Sequence, residues 1–254
     1  MQQVVLVIIA CLAVLMSTTQ FLVPLVMPPL VVSVSSDISG FYQSSGLHAR
    51  VVEAVLRNFR VFYPISRVSL WLSHPPSSTV VSYAHFYSVS GMANGNATVF
   101  TNATAAVFFW SSLAAAAETA DWLLLLEDDI WLYSHVNVGG LKYSINGAPC
   151  SELFRPGVWL FLSTLNESNK RQLCYPRMGG SIIRSSSLAA APNQSNVGFF
   201  QALIDAGSGW IGRDELVAAT VVAGGGDIGA FSGFSETWWR WGNAILRAPR
   251  WSSF

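Results

Sequence analysis

The sequence predicts an α/β fold with a mostly parallel sheet flanked by helices, preceded by an N-terminal hydrophobic segment. Segments of strand character alternate with segments of helical period, β-α-β-α-β-α-β, the pattern of parallel strands joined by crossover helices. One strand, Trp122 to Leu126 (WLLLL), is apolar on both faces, as a strand inside a parallel sheet must be. The near-continuous apolar block is confined to the first thirty-odd of the 254 residues, and after Asp37 the apolar runs are short and broken.

Composition narrows the function classes. The chain is 52% hydrophobic and only 11% charged, against about 25% charged in an ordinary soluble domain. That excludes a disordered chain, a coiled coil and a salt-laced helical bundle. Its 14 basic and 14 acidic residues cancel, so no global field draws nucleic acid. Three cysteines are too few for a disulfide-built scaffold, and no Cys/His pair has zinc-finger spacing. A mean hydropathy of +0.42 permits a polytopic membrane protein, but the short segments after Asp37 oppose one.

Val4 to Met16 (VVLVIIACLAVLM) has the length of a secretory signal's apolar core. Extended through Ser17 and Thr18 to Val23, it reaches the roughly 20 residues that span a bilayer. Residues 1–29 are therefore expected to be a signal-anchor or a cleaved signal plus a stem stiffened by Pro24, Pro28 and Pro29. A buried core helix is the plainer alternative. Asn96, Asn102, Asn166 and Asn193 each begin an Asn-x-Ser/Thr sequon in a polar stretch, which suits a secretory lumen. There Cys150 and Cys174 could close a bridge, an open alternative at this stage, while Cys11 reads as a small hydrophobe.

Leu30 to Ser35 (LVVSVS) reads as the first strand. Leu47, Val51, Val55, Phe59 and Phe62 mark one face of a helix that Pro64 ends. Arg67 to Ser73 is the second strand, Ser78 to Tyr87 a short helix, Ala97 to Thr101 a third strand, and alanine-rich Ala105 to Ala120 a helix before WLLLL. Beyond residue 140 the pattern sets no strand count.

Chemistry begins at Glu127-Asp128-Asp129, directly after the fourth strand, where open parallel sheets bind ligands. Three adjacent carboxylates repel one another, and the next basic residue along the chain is Lys142. A divalent cation is the simplest compensation, magnesium or manganese given the hard oxygen ligands. A polar turn with capping acids is the plainer reading, against which stand the buried run before it and Ile-Trp-Leu-Tyr after it. Gly179-Gly180 lets backbone approach a ligand closely, although an ordinary turn explains a lone Gly-Gly equally well. Asp214-Glu215 opens the segment LVAATVVA, where a helix dipole alone favours acids. Gly224 to Gly226 is no phosphate loop, because no Lys-Ser/Thr follows and it trails its helix. His74 ends the second strand as a solvated turn residue, and His48, His85 and His135 have no metal-cluster spacing. In the aromatic and arginine-rich stretch from Glu236 to Trp251, packing explains the tryptophans and Arg240 is the candidate phosphate contact.

Taken together, DWLLLLEDDIWLY after a β-α-β-α-β start resembles the Asp-x-Asp region of the GT-A-fold nucleotide-sugar glycosyltransferases. VVEAVLRNFRVFYP resembles that superfamily's first helix, Gly179 to Arg184 (GGSIIR) its Gly-Gly-Ser segment, and Asp214-Glu215-Leu216-Val217 its acidic helix start. The resemblance runs over about residues 30 to 236. It implies a GT-A-like, Rossmann-related catalytic domain over residues 30–254 that moves a sugar from a nucleotide-diphosphate donor to a glycan, protein or lipid acceptor. It implies Mn2+ or Mg2+ on Glu127 and Asp129, donor contacts from Asp128, Gly179, Gly180, Ser181 and Arg240, and Asp214 or Glu215 as the base; the shorter, more rigidly held Asp214 is chosen, with Asp227 and Glu236 the next candidates. Combined with the hydrophobic segment, it implies a single-pass type II protein of the ER or Golgi membrane with a lumenal domain, or a secreted one if the signal is cleaved. The chain departs from the pattern twice: Glu127 stands for the first Asp, and no histidine follows His135. Both departures suit the competing class, a catalytically inactive sugar-binding or scaffold relative.

Overall fold

The computed structural model describes residues 37–96, 98–150, 152–190, 196–235 and 245–247. In chain order the elements are β1 (Ile38–Ser44), α1 (Ala49–Phe62), β2 (Val68–Leu72), α2 (Ser78–Phe86), β3 (Gly91–Asn94), β4 (Val99–Phe100), α3 (Ala103–Ala117) and β5 (Trp122–Leu126). There follow β6 (Ile130–Leu132), β7 (Ile145–Gly147), β8 (Glu152–Leu153), α4 (Pro156–Leu165), β9 (Cys174–Tyr175), β10 (Ile182–Arg184) and α5 (Ser185–Ala189). The last are α6 (Val197–Ala206), β11 (Ile211–Gly212), α7 (Arg213–Ala223), β12 (Ile228–Ala230), β13 (Phe234–Ser235) and β14 (Ile245–Arg247).

Seven strands form the main sheet in the order β12-β7-β10-β5-β1-β2-β3. Neighbours from β5 to β3 are all parallel, β12 is parallel to β7, and β10 alone runs antiparallel to both its neighbours. The chain winds outward through β1, β2 and β3, then returns to place β5 on the other side of β1. The carboxyl ends of β1 and β5 therefore flank the topological switch point, where such sheets bind ligands.

Side-chain alternation along β5 divides the core in two. Leu123 and Leu125 join the cluster built with Phe109, Trp110 and Leu113 of α3 and Leu216 of α7. Leu124 and Leu126 join the opposite cluster, with Val52, Val55, Leu56 and Phe59 of α1. All five residues of β5 are buried, as its composition predicts.

The strand expected at Leu30 to Ser35 lies outside the described residues, and the first described strand is β1 (ISGFYQS). Ser39 and Gly40 hide the strand pattern because their contacts lie far away in sequence. Ser39 Oγ donates to the Ala116 carbonyl at 2.7 Å, and Gly40 makes room for Phe59, whose ring a Cβ there would meet at 3.0 Å. The third strand is also corrected: Val99–Phe100 pairs with β11, and the main sheet's edge position falls to β3 (GMAN). Cys150 and Cys174 form a disulfide beside the β8–β9 ladder, with Cα atoms 5.7 Å apart. Among the described residues no helix is long and apolar enough to cross a membrane; the expected anchor, residues 1–29, lies outside them.

Candidate active site

The three acids after β5 meet different partners. Asp128 turns back to β1: Tyr42 Oη donates to its Oδ1 at 2.7 Å, and the Ser45 backbone N–H to its Oδ2 at 3.3 Å. Burial, and then the neighbouring Asp128 charge, push the Tyr42 phenol well above its ordinary pKa, so it stays a donor. Asp128, expected as a donor contact, thus ties the ends of β1 and β5 together. Asp129 is buried in the tight turn into β6, in which the Ile130 N–H donates to the Glu127 carbonyl at 3.1 Å.

Glu127 reaches across the switch point to α7. Arg213, the first residue of that helix, bonds the Glu127 carboxylate through Nη2 and the Asp214 carboxylate through Nε, the latter at 2.7 Å. All three side chains are at least three-quarters buried, at 16%, 17% and 25% exposure. Burial alone would lower the Arg213 pKa, but Glu127 and Asp214 more than offset it and hold the guanidinium above its ordinary value. The sequence argument required a cation here and found none nearby along the chain; the fold supplies one from 86 residues away.

Gly179 completes this arrangement. A Cβ at that position would lie 2.5 Å from Glu127 Cδ and 2.6 Å from Oε2, so only glycine leaves the carboxylate where Arg213 bonds it. Gly179→Ala should therefore push Glu127 away from Arg213 and lower stability by about 1–3 kcal/mol, as overpacking does. Denaturant unfolding of the variant beside wild type measures this, and an unchanged midpoint would refute it. Gly180 takes φ +80 and donates its N–H to the Leu125 carbonyl at 2.7 Å. Ser181 is fully buried, with Oγ donating to the Arg177 carbonyl at 3.1 Å. Ser181, expected to contact the donor, seats β10 against β5.

The two acids of α7 part company. Glu215 is buried and engaged by Arg155, whose backbone N–H meets Oε1 at 2.9 Å and whose Nε meets Oε2 at 2.7 Å. It anchors the start of α4, with both carboxylate oxygens engaged. Asp214 stays at the switch point with Oδ1 on Arg213, while its Oδ2 takes no hydrogen bond among the described residues. Asp227 accepts the Ser144 N–H at 2.8 Å at the start of β7. Arg240 and Glu236 lie outside the described residues.

Beside the acids is a small pocket whose polar lining comes from Gln43, Glu127 and Arg213, against Phe41, Phe109 and Met178. Among the described residues no three His, Cys, Asp or Glu side chains converge to hold a metal. Of the pair expected to hold Mn2+ or Mg2+, Glu127 is committed to the Arg213 guanidinium, which as arranged does not fit a metal shared with Asp129, itself buried in the turn into β6. Sequence reasoning missed Tyr42, Ser45 and Arg155 altogether; Arg213 was visible only as a neighbour of the acids.

The chain has a GT-A-like α/β fold. It is similar to the galactosyltransferase LgtC, solved in complex with donor and acceptor sugar analogs, at a TM-score of 0.51 and 10% identity, over 84% of this chain and 86% of that one. The mannosyltransferase Ktr4p from S. cerevisiae aligns at a TM-score of 0.43 and 8% identity, over 74% and 67% of the two chains. Core-mannan synthase A from Aspergillus fumigatus, in a Mn/GDP form, aligns at 0.44 and 7%, over 76% and 72%. No family model matches the sequence, and neither does any curated protein.

Proposed function

We propose that the protein is a glycosyltransferase that moves a sugar from a nucleotide-diphosphate donor to a glycan, protein or lipid acceptor. One observation carries this reading: Glu127, Arg213 and Asp214 converge at the carboxyl ends of β1 and β5, the ligand-binding edge of a GT-A-like sheet. The glycine at 179 keeps that edge open to the Glu127 carboxylate. Asp214 is the proton acceptor for the acceptor hydroxyl, through the Oδ2 that Arg213 leaves uncommitted. Arg213 is the charge that faces a leaving diphosphate. No step is assigned to a divalent metal. A screen of nucleotide sugars for hydrolysis by the purified full chain tests the reading. Turnover of one donor above the protein-free rate supports it; nucleotide binding without turnover of any donor would favour the scaffold class instead.

The same reading places the domain in the lumen of the ER or Golgi, held by residues 1–29, or outside the cell if that segment is cleaved. Asn96, Asn102 and Asn166 are exposed. Asn102 caps α3 by accepting the Thr104 N–H at 2.7 Å through Oδ1, which leaves its amide nitrogen able to carry a glycan. Protein expressed in eukaryotic cells should shift in mobility on endoglycosidase treatment, and Asn102→Gln should remove one step of that shift. Unchanged mobility would count against the lumenal placement.

A further inference from the structure

We propose that Arg213 is the resident cation of this site: its guanidinium occupies the place at Glu127 that a divalent metal would take, and its Nη1 edge binds a phosphate oxygen of a nucleoside diphosphate without metal. The inference rests on the nucleotide-sugar reading for its ligand, but its first half stands on side-chain geometry alone.

Three observations carry it. The first is the commitment of Glu127. Arg213 bonds it directly, and Gly179, which has no Cβ, leaves the carboxylate the room to hold that position. A metal at Glu127 would have to displace a mostly buried guanidinium that Asp214 also grips. The second is charge. Arg213 meets two carboxylates at the first turn of α7, where the helix dipole adds about half a positive charge. Guanidinium and dipole together nearly neutralise Glu127 and Asp214. Asp128, for its part, is satisfied by Tyr42 and Ser45. At the Glu127–Asp214 pair the countercharge comes from the protein itself.

The third observation concerns what Arg213 has left to offer. Its Nε and Nη2 are taken by the two carboxylates, and its backbone N–H by the Thr98 carbonyl at 3.1 Å. Among the described residues Nη1 makes no hydrogen bond, and Arg213 lines the pocket beside Phe41 and Gln43. A fork clamped on two sides by carboxylates is preorganised, so little side-chain entropy is lost when its last edge meets a phosphate. Lysine lacks this geometry, because a single ammonium cannot bond both acids in fixed directions and still present a planar edge.

Two measurements on the full chain decide the matter. Electron paramagnetic resonance of free Mn2+ reads metal uptake directly, without any activity. Wild type should leave the signal at its protein-free height up to about 1 mM, the weak end of oxygen-ligand sites. Arg213→Met, with Glu127 and Asp214 left facing each other, should take Mn2+ up, and adding Glu127→Gln should abolish the gain. In parallel, quenching of tryptophan fluorescence by UDP and by GDP reads nucleotide affinity in EDTA and in Mn2+. For wild type the two conditions should agree within about threefold, and Arg213→Lys should weaken binding about 10- to 100-fold, the size of a lost charge-assisted hydrogen bond. Wild-type uptake of Mn2+ that Glu127→Gln removes would overturn the proposal, as would nucleotide binding that needs Mn2+. Both use wild type or a neutralised carboxylate, so misfolding of Arg213→Met leaves the decision intact. Binding of neither nucleotide in either condition would overturn the phosphate half together with the nucleotide-sugar reading. In that case a flat wild-type Mn2+ signal would still uphold the first half, so the two failures are distinguishable.

Discussion

Glu215→Ala should destabilise the fold by about 3–5 kcal/mol, the cost of breaking a buried ion pair from one side. The Glu215 side chain is 4% exposed and both its oxygens are bonded to Arg155. Arg155 in turn holds the Gly207 carbonyl at 2.6 Å through Nη1 and the Trp210 carbonyl at 2.7 Å through Nη2, with its guanidinium 4.0 Å from the Trp210 ring centroid. One guanidinium thus joins the start of α4, the end of α6 and the first turn of α7. Alanine would leave it beside an apolar void, with a charge and a backbone N–H unpaired. Arg155 is 26% exposed, so water reaches part of it and the lower half of the range is expected. Glu215→Gln keeps an acceptor for the backbone N–H and should cost about half as much. Equilibrium urea unfolding followed by circular dichroism measures both. A loss below about 1 kcal/mol for alanine would mean that Arg155 finds other partners and that the junction is held by packing alone.

How much of this was legible in the sequence depends on the range over which each interaction acts. Helix α1 was readable because Val55 and Phe59 among its apolar marks are buried, although Leu47 lies ahead of the helix and is exposed, and β5 because a doubly buried strand has no polar alternation to confuse. Strand β1 was not, since Ser39 and Gly40 are explained only by Ala116 and Phe59, far away in sequence. Strand β3, with the residues Gly-Met-Ala-Asn, is an exposed edge with no apolar period. The site followed the same rule. The acids after β5 were located by topology, because ligands meet parallel sheets at strand carboxyl ends. The guanidinium that meets Glu127 was not legible, because it arrives from α7 and adjacency along the chain cannot show it. Ser181 reads as a ligand contact from its local motif, and the Arg177 carbonyl that its hydroxyl meets is visible only in the fold. Between Asp214 and Glu215 the sequence favours Asp214 only through its shorter, more rigidly held side chain. Successive residues on a helix point about 100° apart, and what lies in those two directions, Arg213 with Glu127 or Arg155 with Trp210, is a property of the folded chain.

That separation makes Asp214→Asn the sharper test of chemistry. The substitution should lower the turnover number about a hundredfold or more, the scale of general-base assistance, with donor affinity changed only a few-fold. Asparagine is nearly the size of aspartate, so the helix start is preserved and an amide oxygen can still meet Arg213 Nε. What it loses is Oδ2, the one oxygen of the pair with no hydrogen bond among the described residues, and with it a site to receive the acceptor's proton. A role confined to orienting Arg213 would give a different result: donor binding would weaken and turnover of bound donor would persist. The pH profile separates the two further, since removing a base abolishes the acidic limb of turnover, whereas removing an orienting partner leaves its shape. Asp214→Glu, which restores a carboxylate one methylene further out, should recover part of the rate. If turnover and profile both survive Asp214→Asn, the residue is a helix-start acid paired to Arg213 and nothing more. Asp227 would then be a poor substitute, because its Oδ1 already accepts the Ser144 N–H at the start of β7. The search for the base would move to Glu236, next to the aromatic and arginine-rich stretch that holds Arg240.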